Sequence, residues 1–268
     1  MNFVVFYFSG TGNTEWVVEK LITNLIQKGY ECRGYSLEDE ILYLEDIIDK
    51  ADVIGFAFPI YGANMPNLMI KFYQRLKDIT KELHDKPAFI VTTAGYIDAY
   101  GPFLAGKTLK KIGFKLVSYV NLILSNNVST PKHRATIQSE ENLKKRMKQS
   151  EAKIEKLVNK LITRKKYIRN IGFYLLPGIL IRKATKKGMI NCHLSFSIDK
   201  ERCKKCMLCI NKCPTKSIII LNDEFSFLPT CTACMRCYNF CPVNAVYFEG
   251  KYACPRLYKR YKGPKNIV

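Results

Sequence analysis

Along the first half of the chain, short unbroken apolar runs alternate with longer stretches whose apolar residues recur every three or four positions. Phe3–Phe8, Val53–Phe58, Ala88–Thr93 and Leu116–Leu124 are runs of the first kind. A strand buried on both faces of a parallel sheet reads this way, because neither face needs polar residues. Glu31–Tyr35 is a weaker fifth strand. Thr14–Gln27 sets Val17, Leu21, Ile22 and Leu25 on one helical face, with Gly29 as its stop. Pro66–Leu76, with proline near its start, and Phe103–Ile112 are further helices. Ser139–Thr163 is a long amphipathic helix through Leu143, Met147, Ile154, Leu157 and Leu161. Five strands with interleaved helices predict an open, doubly wound α/β sheet over residues 1–163.

The pattern breaks at Arg164. From there to residue 195, basic residues flank an apolar centre. Two readings fit: a solvated linker whose apolar part packs between domains, or a docking element for a partner or a membrane surface. A second unit is expected at 196–250, followed by a basic, tyrosine-rich tail at 251–268. The 268 residues include 43 Lys and Arg against 23 Asp and Glu, a formal charge of +20. Such an excess favours acidic partners or an anionic surface. No nucleic-acid-binding motif accompanies it, so a nucleic-acid partner is not expected. The first residues lack the pattern of a signal peptide. The apolar stretch Ile171–Ile181 is broken by Gly172, Pro177 and Gly178 and is too short to span a bilayer. A reducing, cytoplasmic setting is the expectation.

Cysteine placement decides the chemistry of the second unit. Of eleven cysteines, nine fall between Cys203 and Cys254. Cys203, Cys206, Cys209 and Cys213-Pro214 recur 28 positions later as Cys231, Cys234, Cys237 and Cys241-Pro242. Met207 likewise matches Met235, and Asn211 matches Asn239. Three evenly spaced thiolates can wrap three corners of an iron–sulfur cube, and the fourth, before proline, points to the other cube. The expected sets are Cys203, Cys206, Cys209 and Cys241 on one [4Fe–4S] cluster, and Cys231, Cys234, Cys237 and Cys213 on another. Structural zinc sites use paired C-x2-C knuckles instead. Residues 196–249 resemble the bacterial two-cluster ferredoxins. The resemblance implies strands near Phe196–Ile198, Ile218–Leu221, Phe225–Leu228 and Val246–Phe248. Cys32, Cys192 and Cys254 lie outside the repeat and read as packed or free thiols.

A second candidate site follows the first strand. Ser9-Gly10-Thr11-Gly12-Asn13-Thr14 leads directly into a helix. Glycines permit a tight turn, hydroxyls add donors, and the helix N-terminus favours an anion. There is no Lys in the Walker position and no G-x-G-x-x-G pattern, so neither ATP hydrolysis nor dinucleotide binding is expected. Two other loops belong at the same sheet edge. One holds Pro59, Tyr61 and Gly62; the other holds Thr93, Ala94, Gly95, Tyr96, Tyr100 and Gly101. Their tyrosines could stack on a flat ring. Over residues 1–163 the chain resembles the flavodoxins, whose Ser-x-Thr-Gly-x-Thr loop is matched by Ser9, Thr11, Gly12 and Thr14. The resemblance implies FMN, with phosphate on residues 9–14 and the isoalloxazine between the other two loops. Neither ring loop holds a tryptophan; Tyr61, Tyr96 or Tyr100 stands in its place. The whole chain looks like the flavodoxin–ferredoxin fusion proteins of anaerobic microbes.

An electron-transfer flavo-iron-sulfur protein serving acidic redox partner proteins is the leading expectation. The alternative is an FMN-dependent reductase of a small substrate fed by the clusters, with Asp98 as the nearest acid–base group. A non-redox module with merely structural clusters is a third reading.

Overall fold

The computed structural model describes residues 1–79, 85–96, 101–133, 136–168 and 175–266. The first unit runs β1 (Asn2–Tyr7), α1 (Asn13–Gln27), β2 (Glu31–Ser36), α2 (Leu44–Lys50), β3 (Val53–Pro59) and α3 (Asn67–Ile79). It continues through β4 (Lys86–Ala94), α4 (Gly101–Ile112), β5 (Phe114–Ile123), α5 (Glu140–Ile162) and β6 (Tyr167–Ile168). The strands form one parallel sheet in the order β2-β1-β3-β4-β5-β6. This is the doubly wound order whose crevice opens at the β1/β3 switch point, beyond the C-terminal strand ends.

The apolar runs are buried on both sides, as their composition requires. Phe3 and Val5 face the α1/α5 layer, with Val17, Leu21, Leu25, Ile154 and Leu157. Val4 and Phe6 face the opposite layer, with Phe56, Phe72, Tyr73, Leu109 and Phe114. In that second layer Phe6, Phe56 and Phe72 pack ring to ring, 4.9–6.5 Å between centroids. A Cβ at Gly55 would lie 2.3 Å from the Phe89 ring, so β3 must be bare there. α5 starts on Ser139, whose hydroxyl accepts the Asn142 N–H.

Two expectations need correction. The sheet has six strands, because Tyr167–Ile168 adds to β5. The segment read as linker therefore begins inside the sheet, and it also contains α6 (Leu175–Ile190), a helix of 16 residues. A two-residue strand carries no periodicity to detect, and Pro177 and Gly178 disguise the helix; proline near a helix start is nevertheless tolerated. Among the described residues, no helix is long and apolar enough to cross a membrane.

The second unit pairs β7 (Phe196–Ile198) with β10 (Val246–Phe248), and β8 (Ile218–Leu221) with β9 (Glu224–Phe227), both antiparallel. Short helices α7 (Leu208–Asn211) and α8 (Arg236–Phe240) follow the two cysteine loops. The sequence repeat reappears in the backbone. Left-handed residues occur in pairs 28 positions apart: Lys205 and Ala233, Met207 and Met235, Lys216 and Asn244, all with φ between 48° and 60°. Non-glycine residues adopt this region at a cost, so a matched set marks a shared, built-in loop shape.

Candidate functional site

Seven of the eight repeat thiols, all but Cys206, interact with one another within and between the two loops, although among the described residues no three ligand side chains are drawn together tightly enough to form a ready metal site. Cys209 interacts electrostatically with Cys203 of its own loop and with Cys241 of the other half. Cys237 does so with Cys234, Cys231 and Cys213 and, last, with Cys209, and Cys234 does so with Cys231 and Cys213. Each fourth cysteine thus reaches across the pseudo-twofold. Its sulfur also accepts an amide N–H four residues on, Ser217 to Cys213 and Ala245 to Cys241, both at 3.2 Å.

Burial differs between the loops. Cys206 is exposed, whereas Cys234 is buried. Burial raises the Cys234 thiol to about 12, Cys209 to about 11, and Cys237 well above its ordinary value. Burial favours the protonated form of these three thiols. Cys32 is a core thiol beside α1, raised to about 12 by burial. Cys192 lies outside the repeat, yet it is buried with its sulfur 3.5 Å from the Cys231 carbonyl oxygen.

The phosphate-type loop sits between β1 and α1, capped by the left-handed Gly12 at φ 101°. The Ser9 hydroxyl accepts the Gly12 N–H at 3.2 Å, and the Thr14 and Thr93 hydroxyls meet at 2.8 Å. Around it lie Gly10, Thr11, Asn13, Pro59, Tyr61, Ala94 and Gly95, with Ser125, Asn126 and Asn127 from the turn after β5. That turn was absent from the sequence expectation. Its signal was a polar Ser-Asn-Asn directly after an apolar strand, at the same sheet edge. Gly62 lies apart, against α6, and half-exposed Tyr96 donates to the Thr136 carbonyl at 3.4 Å. Gly101 opens α4. Tyr100 and Asp98 fall outside the described residues.

The second cysteine loop closes directly on this cradle. A Cβ at Gly10 would lie 3.3 Å from the Cys234 Cβ and 3.1 Å from its carbonyl oxygen. Asn127 donates to that carbonyl at 3.1 Å, and the Asn67 backbone N–H donates to the Thr232 hydroxyl at 3.0 Å. Arg236 is the central clasp. Its guanidinium donates to the Ser9 and Gly10 carbonyls and to the Glu38 carboxylate, both of whose oxygens are 2.6 Å away. Burial alone would lower its pKa, but Glu38 more than offsets this and the net shift is upward. The tail folds over as well. Tyr261 donates to the Asn13 side chain, Gly263 abuts Thr11 and Gly12, and Lys265 pairs with Glu15 and Glu19.

The donor set matches a phosphate group: three hydroxyls and the open N–H groups of the first turn of a helix. The Tyr61 hydroxyl is buried beside Gly10; the Asn127 side chain interacts with it, but among the described residues no partner makes a hydrogen bond of normal geometry. Such an orphan costs stability unless a ligand completes it. The cleft between these loops is narrow, with a cavity volume of about 40 Å³. A mononucleotide ring does not fit beside Tyr61 in this arrangement.

Comparison with known proteins bears on the cysteine unit first. Residues 196–219 match a family model described as a 4Fe-4S binding domain. The C-terminal unit therefore contains a 4Fe–4S binding motif. A dihydromethanopterin reductase (acceptor) of Methanocaldococcus jannaschii is 33% identical over 52 residues. That stretch is 19% of this chain, and the chain spans only 21% of that protein's length. Among solved structures, a flavodoxin from the domain Archaea aligns over 59% of this chain and 99% of its own, at 20% identity and TM-score 0.43. The two-electron reduced flavodoxin of Megasphaera elsdenii aligns over 44% and 84%, at 20% identity and TM-score 0.39.

Proposed function

We propose that the protein is an electron carrier with two [4Fe–4S] clusters in series, leading from its surface to the phosphate-type cradle. Cys203, Cys206, Cys209 and Cys241 would hold the outer cluster, and Cys231, Cys234, Cys237 and Cys213 the inner one. The observation that carries this reading is the packing of Cys234 against Gly10. An inner cluster there would abut the cradle, while exposed Cys206 keeps the outer one within reach of a partner. Lys204, Lys205, Lys212 and Lys216 are exposed around the outer loop, which favours acidic redox proteins at that end.

FMN is the cradle occupant that the donor set supports at its phosphate end. A bound flavin would supply chemistry in one- or two-electron steps. Ser9, Thr11 and Thr14 would hold its phosphate. Its ring would require Tyr61 to leave Gly10, so the path proposed here is built from the cysteine loops.

Stepwise anaerobic reduction tests the carrier reading. The cluster absorption should bleach and return reversibly, with electrons passing to an acidic one-electron acceptor protein. That transfer should slow several-fold between low and physiological salt, as screened attraction does. Clusters that resist reduction by dithionite would contradict it and favour a merely structural role.

A further inference from the structure

We infer that α6 is a docking element for an anionic membrane surface, lying in the interface plane rather than crossing it. Its two faces have separate commitments. Gly178, Arg182, Thr185 and Met189, spaced four, three and four residues apart, face the protein and are the less exposed positions. Arg182 donates to the Asn64 side chain at 2.8 Å, and the Thr185 hydroxyl donates to the Gly62 carbonyl at 2.7 Å. Met189 packs on Gly62. These contacts fix the roll of the helix.

The opposite face carries Leu176, Leu180, Lys183, Lys187 and Ile190 at the same helical spacing. Leu176 is 74% exposed, Leu180 66% and Ile190 59%, and Leu194 continues the line at 75%. Large aliphatics this open and this aligned are an unpaid exposure to water. Lys183 and Lys187 have no ion pair among the described residues. Between residues 164 and 198 the chain has eight Lys and Arg and no Asp or Glu.

That charge pattern selects the occupant. A second copy docked by the same face would set lysines against lysines. An anionic bilayer satisfies both features: leucines enter the acyl boundary, and lysines reach the headgroup phosphates on flexible stems. Among the described residues, α6 covers 16 positions and is not long and apolar enough to cross a membrane.

The test is flotation of the full chain, purified anaerobically, with vesicles of equimolar phosphatidylglycerol and phosphatidylcholine, and with phosphatidylcholine alone. Binding to the anionic vesicles is expected, with little to the neutral ones. The pair Lys183→Gln, Lys187→Gln should weaken it about 30-fold. The pair Leu176→Ser, Leu180→Ser should weaken it about tenfold or more. All four positions are exposed, so the far-ultraviolet circular dichroism of both variants should match the parent. Failure to float with anionic vesicles overturns the inference. So does binding indifferent to both pairs, which places the contact elsewhere. Binding that falls with the lysines but ignores the leucines also overturns it, because attraction without insertion suits an acidic protein surface instead.

Discussion

Replacing Cys241 by alanine is expected to remove the cluster of the first cysteine loop and spare that of the loop nearest Cys241 in sequence. Iron per chain should fall from about eight to about four. The reason is the proposed crossed ligation, which is supported by the interaction of Cys241 with Cys209 and of Cys213 with Cys234 and Cys237. Cys213→Ala should give the same iron count but leave the opposite cluster. Stripping by a chelator tells the two apart. The cluster surviving in Cys241→Ala lies on the buried Cys234 side and should be lost slowly. The one surviving in Cys213→Ala includes exposed Cys206 and should be lost quickly. Equal stripping rates in the two variants, or the reverse order, would refute crossed ligation.

The second large effect is expected at Arg236. Arg236→Met should destabilise the chain by roughly 2 kcal/mol, chiefly because charge-assisted hydrogen bonds to part-buried backbone carbonyls are lost. The guanidinium side chain is 14% exposed, but Glu38 sits at the solvent edge and its bonds to Arg236 are exposed, so the ion pair itself adds little. The loss includes two carbonyls, at Ser9 and Gly10, left without their donor. Arg236→Lys should recover only part of it, since an ammonium cannot fork between carboxylate and backbone. Trp16, the single tryptophan and a buried residue of α1, gives a fluorescence signal for urea unfolding. A loss below about 1 kcal/mol, the scale of a surface pair, would mean that the clasp does not hold the two units together.

Much of the fold is legible in the sequence. β1, β3, β4 and β5 announced themselves because burial on both faces leaves no polar alternation. The cysteine repeat was legible because ligand spacing is local chemistry, and its pseudo-symmetry returns in the paired left-handed residues. What escaped were features set by tertiary contact. Tyr167–Ile168 becomes a strand only because the β5 edge is beside it. The tail looked like a basic extension until Tyr261 and Gly263 were seen on the cradle. Arg236 carries no signal of its own between Cys234 and Cys237, and nothing near it in sequence points to Glu38. The glycine loop was correctly placed at the sheet edge, but its neighbours Ser125 to Asn127, and the closing of Tyr61 over Gly10, follow from packing.

Iron, acid-labile sulfide and zinc per chain, with absorption spectra before and after dithionite, test the central claim most directly. The two-cluster carrier predicts about eight iron and eight sulfide, no zinc, and a visible band that bleaches on reduction. About four iron per chain, or zinc with no bleaching, would contradict it.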